Sequence, residues 1–287
     1  MSVLPEASAQ IELRDVRGPS ALGGGWKRFW ELTYLIATTD FKRTYFGTAL
    51  GYLWSLARPL LTFGVLLAVF THVFHFAAKV PHYPVFLLFN VVLFGFFQES
   101  TMIAVGSIVG HEAVVRKTQF PRLVIPMAVV ATAVFNLALN LVVAFVFVLA
   151  FGIAPSWTWF GLIPVLLALF VFTAAVSMLV SALYPRFRDV SLIWSVLALA
   201  LFYATPVLYP LSLVSSNLLR NVIALNPLTP VLTLAQRWIT EPSTPWPGSA
   251  ALGGPVRLAI SILIYAAVCA LAVWIFRREA PRIAEEL

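Results

Sequence analysis

The chain has 287 residues, of which 61% are hydrophobic and 11% charged, with a formal net charge of +7. A mean hydropathy of +0.92 and a charged fraction well below the roughly 25% of soluble domains exclude a protein covered by water on all sides. The single cysteine, Cys269, lies in an apolar stretch, which excludes a disulfide framework and a cysteine zinc site.

In chain order, residues 1–25 read as a cytoplasmic tail. Glu6, Glu12, Arg14, Asp15 and Arg17 precede Gly23, Gly24 and Gly25 without the apolar core of a cleavable signal peptide, so insertion is expected from later segments. Residues 26–51 follow as an amphipathic segment. Trp26, Phe29, Trp30, Ala37 and Phe41 recur at helical spacing, with Lys27, Arg28, Glu31, Lys42 and Arg43 set apart from them. This pattern predicts a helix lying on the cytoplasmic leaflet, or alternatively a short helix packed on the bundle.

Six stretches approach or exceed the ~20 apolar residues needed to cross ~30 Å of hydrocarbon: 56–76, 83–109, 123–151, 159–184, 191–209 and 256–276, within an all-α transmembrane domain at 52–276. Basic residues orient them, because Lys and Arg stay cytoplasmic. With both termini inside, 15 Lys and Arg fall on the cytoplasmic side, and only Lys79, Arg220, Arg237 and Arg257 fall outside. Eight of the nine tryptophans lie near span ends or in flanking segments, where an amphipathic ring settles. The tail 277–287 returns to the cytoplasm.

Between the spans, three features carry chemistry. Residues 111–120 are polar and charged, bounded by Gly110 and Pro121, and suit a cytoplasmic connector helix. Glu99 is the one acid well inside a span, beside Gln98, Ser100 and Thr101. An intramembrane acid is a functional candidate by default, although the quartet equally suits a helix irregularity facing the bundle interior. Asn136 and Asn140, four apart on the third span, are placed to bond across helices, with a part in a substrate path as the second reading. Outside, the segment 211–255 contains two apolar pieces, 213–225 and 231–239, broken by Asn226, Pro227 and Pro230. Both are too short to span and read as re-entrant or interfacial helices.

Enzymatic signatures constrain the reading by their rarity. The sequence contains no G-x-x-x-x-G-K-[ST] phosphate loop, so energy from ATP would come through another subunit. His72, His75 and His82 cluster near the outer end of the first span without a carboxylate, which favours solvated loop histidines over a metal site. No pair of acids marks a membrane-surface active centre, so no catalytic residue is assigned.

The run from Asp40 through Lys42, Tyr45, Gly51 and Trp54 to Pro59 resembles the motif of type-2 ABC exporter permeases in which an interfacial helix turns into the first span. Thr44 and Phe46 stand where that motif usually has arginines. The stretch from Val115 to Pro126, the Arg186-Phe187-Arg188-Asp189 turn, the Thr205-Pro206 to Tyr209-Pro210 element and Asn226-Pro227 resemble further parts of the family in the same order. The chain is thus similar to the branch that exports lipid-linked polysaccharides such as O-antigens, teichoic acids and galactan.

That resemblance implies a homodimeric permease in the bacterial inner membrane, bound to two copies of an ABC ATPase that hold ATP and magnesium. Its substrate would be a lipid-linked glycan or glycolipid, with a drug, lipid or small metabolite as the alternative cargo. Membrane lipids are expected partners and nucleic acid is not. Glu112, Val115, Arg116, Lys117 and Phe120 would contact the ATPase, Arg186, Arg188 and Asp189 would form a cytoplasmic turn, and Pro206, Tyr209, Asn226 and Pro227 would form an outer gate.

Overall fold

A computed structural model describes residues 25–45, 51, 53–112, 121–240 and 254–280. Both expected tails, apart from residues 25 and 277–280, and the loop 241–253 lie outside the described residues. Among the described residues every regular element is helical. The helices are α1 (Gly25–Tyr45), α2 (Leu53–His72), α3 (Tyr83–Gly110), α4 (Val124–Ala150) and α5 (Leu162–Leu183, entered through a 3-10 turn at Trp157–Gly161). They continue with α6 (Val190–Ala204), α7 (Asn217–Leu225), α8 (Leu228–Thr240) and α9 (Pro255–Glu279). Five of these, α2, α3, α4, α5 with its turn, and α9, are long and apolar enough to cross a membrane; α6 is apolar but shorter, and α7 with α8 form a bent pair. The chain is a polytopic membrane protein with five to six candidate spans.

Helix α3 is the axis of the bundle, because its sequence is apolar on every side and such a helix belongs inside. It touches α2, α4, α5, α6 and α8, and 72% of its most apolar window is buried, against 11% for α2 and for α9. Lipid tails are as apolar as the side chains, so close packing rather than escape from water holds these helices together. Aromatic rings supply much of that packing: Phe97 stacks on Phe172 at 5.9 Å, while Phe94 meets Phe202 at 5.3 Å and Phe89 meets Phe145 at 5.6 Å, both edge-on.

Helix α1 packs across the amino-terminal half of α4. The Thr132 hydroxyl donates to the carbonyl of Ala37 at 3.2 Å, Ala37 is fully buried, and the rings of Tyr34 and Phe41 both meet Phe135 edge-on. The apolar set expected on one face therefore divides. Ala37 and Phe41 turn to the bundle, whereas Trp26 (75% exposed) and Trp30 stay outward and stack with Phe29 in a small aromatic cluster. Gly51 takes a φ of +47°, which opens the turn into α2.

The expected fifth span, 191–209, is helical only as far as Ala204. Pro206 is the cause: a residue before proline is pushed out of the α region, and Thr205 sits extended at φ −105°, ψ 145°. The freed carbonyls find polar partners. Asn90 Nδ2 donates to the oxygens of Pro206 (3.4 Å) and Val207 (3.3 Å), Gln236 Nε2 reaches Pro206 O at 3.4 Å, and Tyr83 OH donates to Leu208 O at 2.9 Å. Non-helical backbone within an apolar bundle is tolerated on this condition, that protein groups replace the missing helix bonds.

The two outer pieces form short helices as expected, with the first starting later, at Asn217, and the second earlier, at Leu228. They meet at a 95° bend. Asn226 organises it: its Nδ2 donates to Thr205 Oγ1 at 2.8 Å, its Oδ1 accepts from the Leu228 amide at 3.0 Å, and its carbonyl accepts from Ser261 Oγ of α9 at 3.2 Å. Pro227 precedes α8 and Pro230 occupies its first turn, where a missing N–H costs nothing.

Candidate functional site

A cavity of about 600 Å³ opens between α2, α3 and α4, closed on its sides by Thr44 at the end of α1 and Phe202 of α6. Its polar lining comes from the first two turns of α2 (Trp54, Ser55, Arg58), the middle of α3 (Gln98, Glu99) and the middle of α4 (Asn136, Asn140). Glu99 lies eleven residues before Gly110, the nearer end of α3, so about 16 Å of helix separates it from that end. A carboxylate at such depth requires partners.

The partners form a ladder. Asn136 Nδ2 donates to Glu99 Oε1 at 3.0 Å, and Asn140 Nδ2 donates both to the Asn136 carbonyl at 2.8 Å and to the Ser55 carbonyl of α2 at 3.2 Å. Asn136 and Asn140 are 5% and 8% exposed, so they act as rungs, while Glu99 and Gln98 keep partial access to the cavity. Arg58 lies close enough to Glu99 to attract it. The i, i+4 spacing of the two asparagines puts them on one face of α4, and Glu99 sits opposite because α3 and α4 run antiparallel in close contact. Of the polar quartet, only Gln98 and Glu99 line the cavity. Ser100 and Thr101 are fully buried, and the Thr101 hydroxyl returns to the Phe97 carbonyl at 2.8 Å.

Six of the residues singled out in the sequence, Thr44, Trp54, Gln98, Glu99, Asn136 and Asn140, therefore meet in one place. The others lie elsewhere. Asp40 pairs with His111 across 3.8 Å, linking α1 to the end of α3, and Lys42 is exposed beside it. Tyr45 closes α1. Glu112 follows His111 as the last described residue at the start of the connector, and Val115, Arg116, Lys117 and Phe120 lie outside the described residues. Arg186 reaches Glu279 of α9 at 3.6 Å and its guanidinium lies over Phe187; Arg188 lies over Tyr184, and Asp189 precedes α6. Pro206, Tyr209, Asn226 and Pro227 gather at the opposite end of the bundle, where the Tyr209 hydroxyl donates to Tyr203 O at 2.8 Å. Among the described residues no group of three His, Cys, Asp or Glu is placed to hold a metal.

Sequence reasoning did not single out Arg58 as a lining residue, nor Asn90, Gln236 and Tyr83 as partners of the unwound segment. Arg58 was legible only as a positive charge for orientation. Asn90 carried a signal, a lone amide in the apolar run from Val85 to Phe94, where an unpaired polar group is costly.

The family model for "ABC-2 type transporter" matches residues 31–237. Curated relatives include two proteins called "O-antigen export system permease protein RfbA". That of Klebsiella pneumoniae is 31% identical over 204 residues, 71% of this chain and 78% of the relative. That of Myxococcus xanthus is 32% identical over 207 residues, 72% of this chain and 79% of the relative. With the match running from α1 into α8 and so taking in all three walls of the cavity, the chain belongs to the ABC-2 type transporter family.

Proposed function

We propose that the chain is the membrane permease of an ATP-driven exporter that moves a lipid-linked polysaccharide or glycolipid out of the cytoplasm across the bacterial inner membrane. The observation that carries this reading is the similarity to O-antigen export permeases over more than two thirds of both chains. A cavity that carries Gln98, Glu99, Asn136 and Asn140 on an otherwise largely apolar lining, walled by three helices of that matched region, agrees with it. The permease works as a homodimer with two copies of a separate ABC ATPase, which bind ATP and magnesium and perform the hydrolysis; this chain performs no catalysis. Both termini are cytoplasmic, α1 lies at the inner leaflet, and the connector 111–120 docks on the ATPase. The bent α7–α8 pair closes the outer end when no substrate is present.

The test is genetic and biochemical together. A strain lacking its O-antigen permease, supplied with this chain and an ABC ATPase from the same organism, is expected to regain surface polysaccharide, and an affinity tag on the chain is expected to recover that ATPase. Recovery of the ATPase with export of a small lipid or drug, and no glycan, would overturn the substrate. Failure to recover any ATPase would overturn the exporter itself.

A further inference from the structure

We propose that the α2–α3–α4 cavity is a binding subsite for neutral sugar rings, in which Glu99 is the principal acceptor for sugar hydroxyls, held by Asn136, while Asn140 ties the α2 and α4 walls together. The proposal rests on the glycan-export reading and deepens it, by separating a subsite for the sugars from any site for the lipid phosphate.

Three observations converge. First, Glu99 is preorganised. Its Oε1 accepts from Asn136 Nδ2 at 3.0 Å across the α3–α4 contact, and one turn further along α4 Asn140 ties the same helix face to the Ser55 carbonyl of α2 at 3.2 Å. A hydroxyl donating to a fixed carboxylate makes a charge-assisted bond of roughly twice the ordinary strength, without the cost of ordering the acceptor. Second, the lining alternates hydrogen-bonding groups with flat apolar ones. Gln98 and Arg58 offer donors, and Trp54 offers a broad face of the kind that stacks on the C–H side of a pyranose. Phe202 is held on Phe94 at 5.3 Å, which fixes the opposite apolar wall. Third, the charges point to a neutral ligand. Arg58 is the one cation among the described lining residues and Glu99 shares that lining, so a phosphate drawn to the guanidinium would meet an acidic side chain and no second positive group. Sugar hydroxyls satisfy both groups at once. At about 600 Å³ the cavity falls within the range of roughly 300–1,000 Å³ of small-molecule sites, enough for a short stretch of glycan.

The experiment uses the complete permease–ATPase complex in lipid nanodiscs, with Cys269→Ser to remove the native thiol and Met102→Cys to place a reporter on the cavity wall. Alkylation by N-ethylmaleimide is followed with maltotetraose, cellotetraose, mannotetraose or inorganic pyrophosphate present. At least one neutral oligosaccharide is expected to slow alkylation threefold or more in a saturable way, with pyrophosphate inert. Glu99→Gln is expected to raise the half-protecting concentration at least fivefold. Gln98→Leu is expected to raise it in the same direction, and serves alone if Glu99→Gln does not assemble. Protection by pyrophosphate without any by the oligosaccharides would make this an anion site and overturn the proposal, as would absence of protection by every probe in a complex that exports glycan. Saccharide protection in a complex that exports no glycan would uphold the subsite while the exporter reading fails.

Discussion

Several buried polar side chains shape this structure by satisfying backbone that the helices leave open or by holding another polar group at depth. Asn90 is the sharpest case: it is fully buried and serves the carbonyls of Pro206 and Val207. Asn90→Leu is expected to lower stability by about 1–3 kcal/mol, the cost of stranding buried acceptors, read as a drop in the thermal midpoint of the purified protein in detergent. An unchanged midpoint would mean that water or Gln236 replaces the amide. A close approach at Gly161 gives a second test. A Cβ there would stand 2.5 Å from the indole of Trp238 on α8. Gly161→Ala is expected to push Trp238 aside, weaken the Thr158 Oγ1 bond to Trp238 O (2.9 Å), and change tryptophan fluorescence. The polar residues inside the spans were legible as exceptions to an apolar pattern, so Glu99, Asn136 and Asn140 were found. Their pairing was not legible, because it depends on which helices become neighbours.

At the scale of elements, the sequence located what periodicity and length control. The expected spans 83–109 and 123–151 differ from α3 and α4 by one residue at any end. What it misjudged was the end of α6, since 191–209 is apolar throughout and hydropathy does not register the backbone demand of Pro206. The docking of α1 was open between leaflet and bundle. Its contacts with α4 depend on Ala37, Thr132 and Phe135, small and aromatic groups that no amphipathic pattern distinguishes from a lipid-facing set. Phe135→Ala would remove the ring that both Tyr34 and Phe41 meet and open a gap against α4. Amide hydrogen exchange over 25–45 is expected to rise at least tenfold, while exchange in α3 stays unchanged. Equal protection in wild type and variant would place the holding energy of α1 elsewhere, in the Asp40–His111 pair at its far end.

For the whole molecule, the question is how the bundle stands in the membrane, and here the charges and the architecture point the same way. The loop between α5 and α6 carries Arg186 and Arg188, the start of α4 follows Arg122, and α9 ends on Arg277 and Arg278, while the opposite end of the bundle holds the α7–α8 pair with only Arg220 and Arg237. Arg186 also reaches Glu279, so one cluster of positive charge joins two helix ends on a single side. In the proposed orientation, with the positive side inside, that side is cytoplasmic and α7 is an outer-leaflet helix, which suits the joint exposure of Leu218, Leu219 and Val222 on it. Single cysteines at Ser216 and at Arg188, in the Cys269→Ser background, separate the two orientations in intact cells. An impermeant maleimide is expected to label Ser216→Cys within minutes and to leave Arg188→Cys unmodified until the membrane is permeabilised. The reverse pattern would invert the bundle, and would place the α7–α8 pair on the ATPase side, where it could not close an outer exit. Labelling of both positions in intact cells would mean an even number of membrane crossings between them, so that α6 and the unwound segment after it would not cross the membrane.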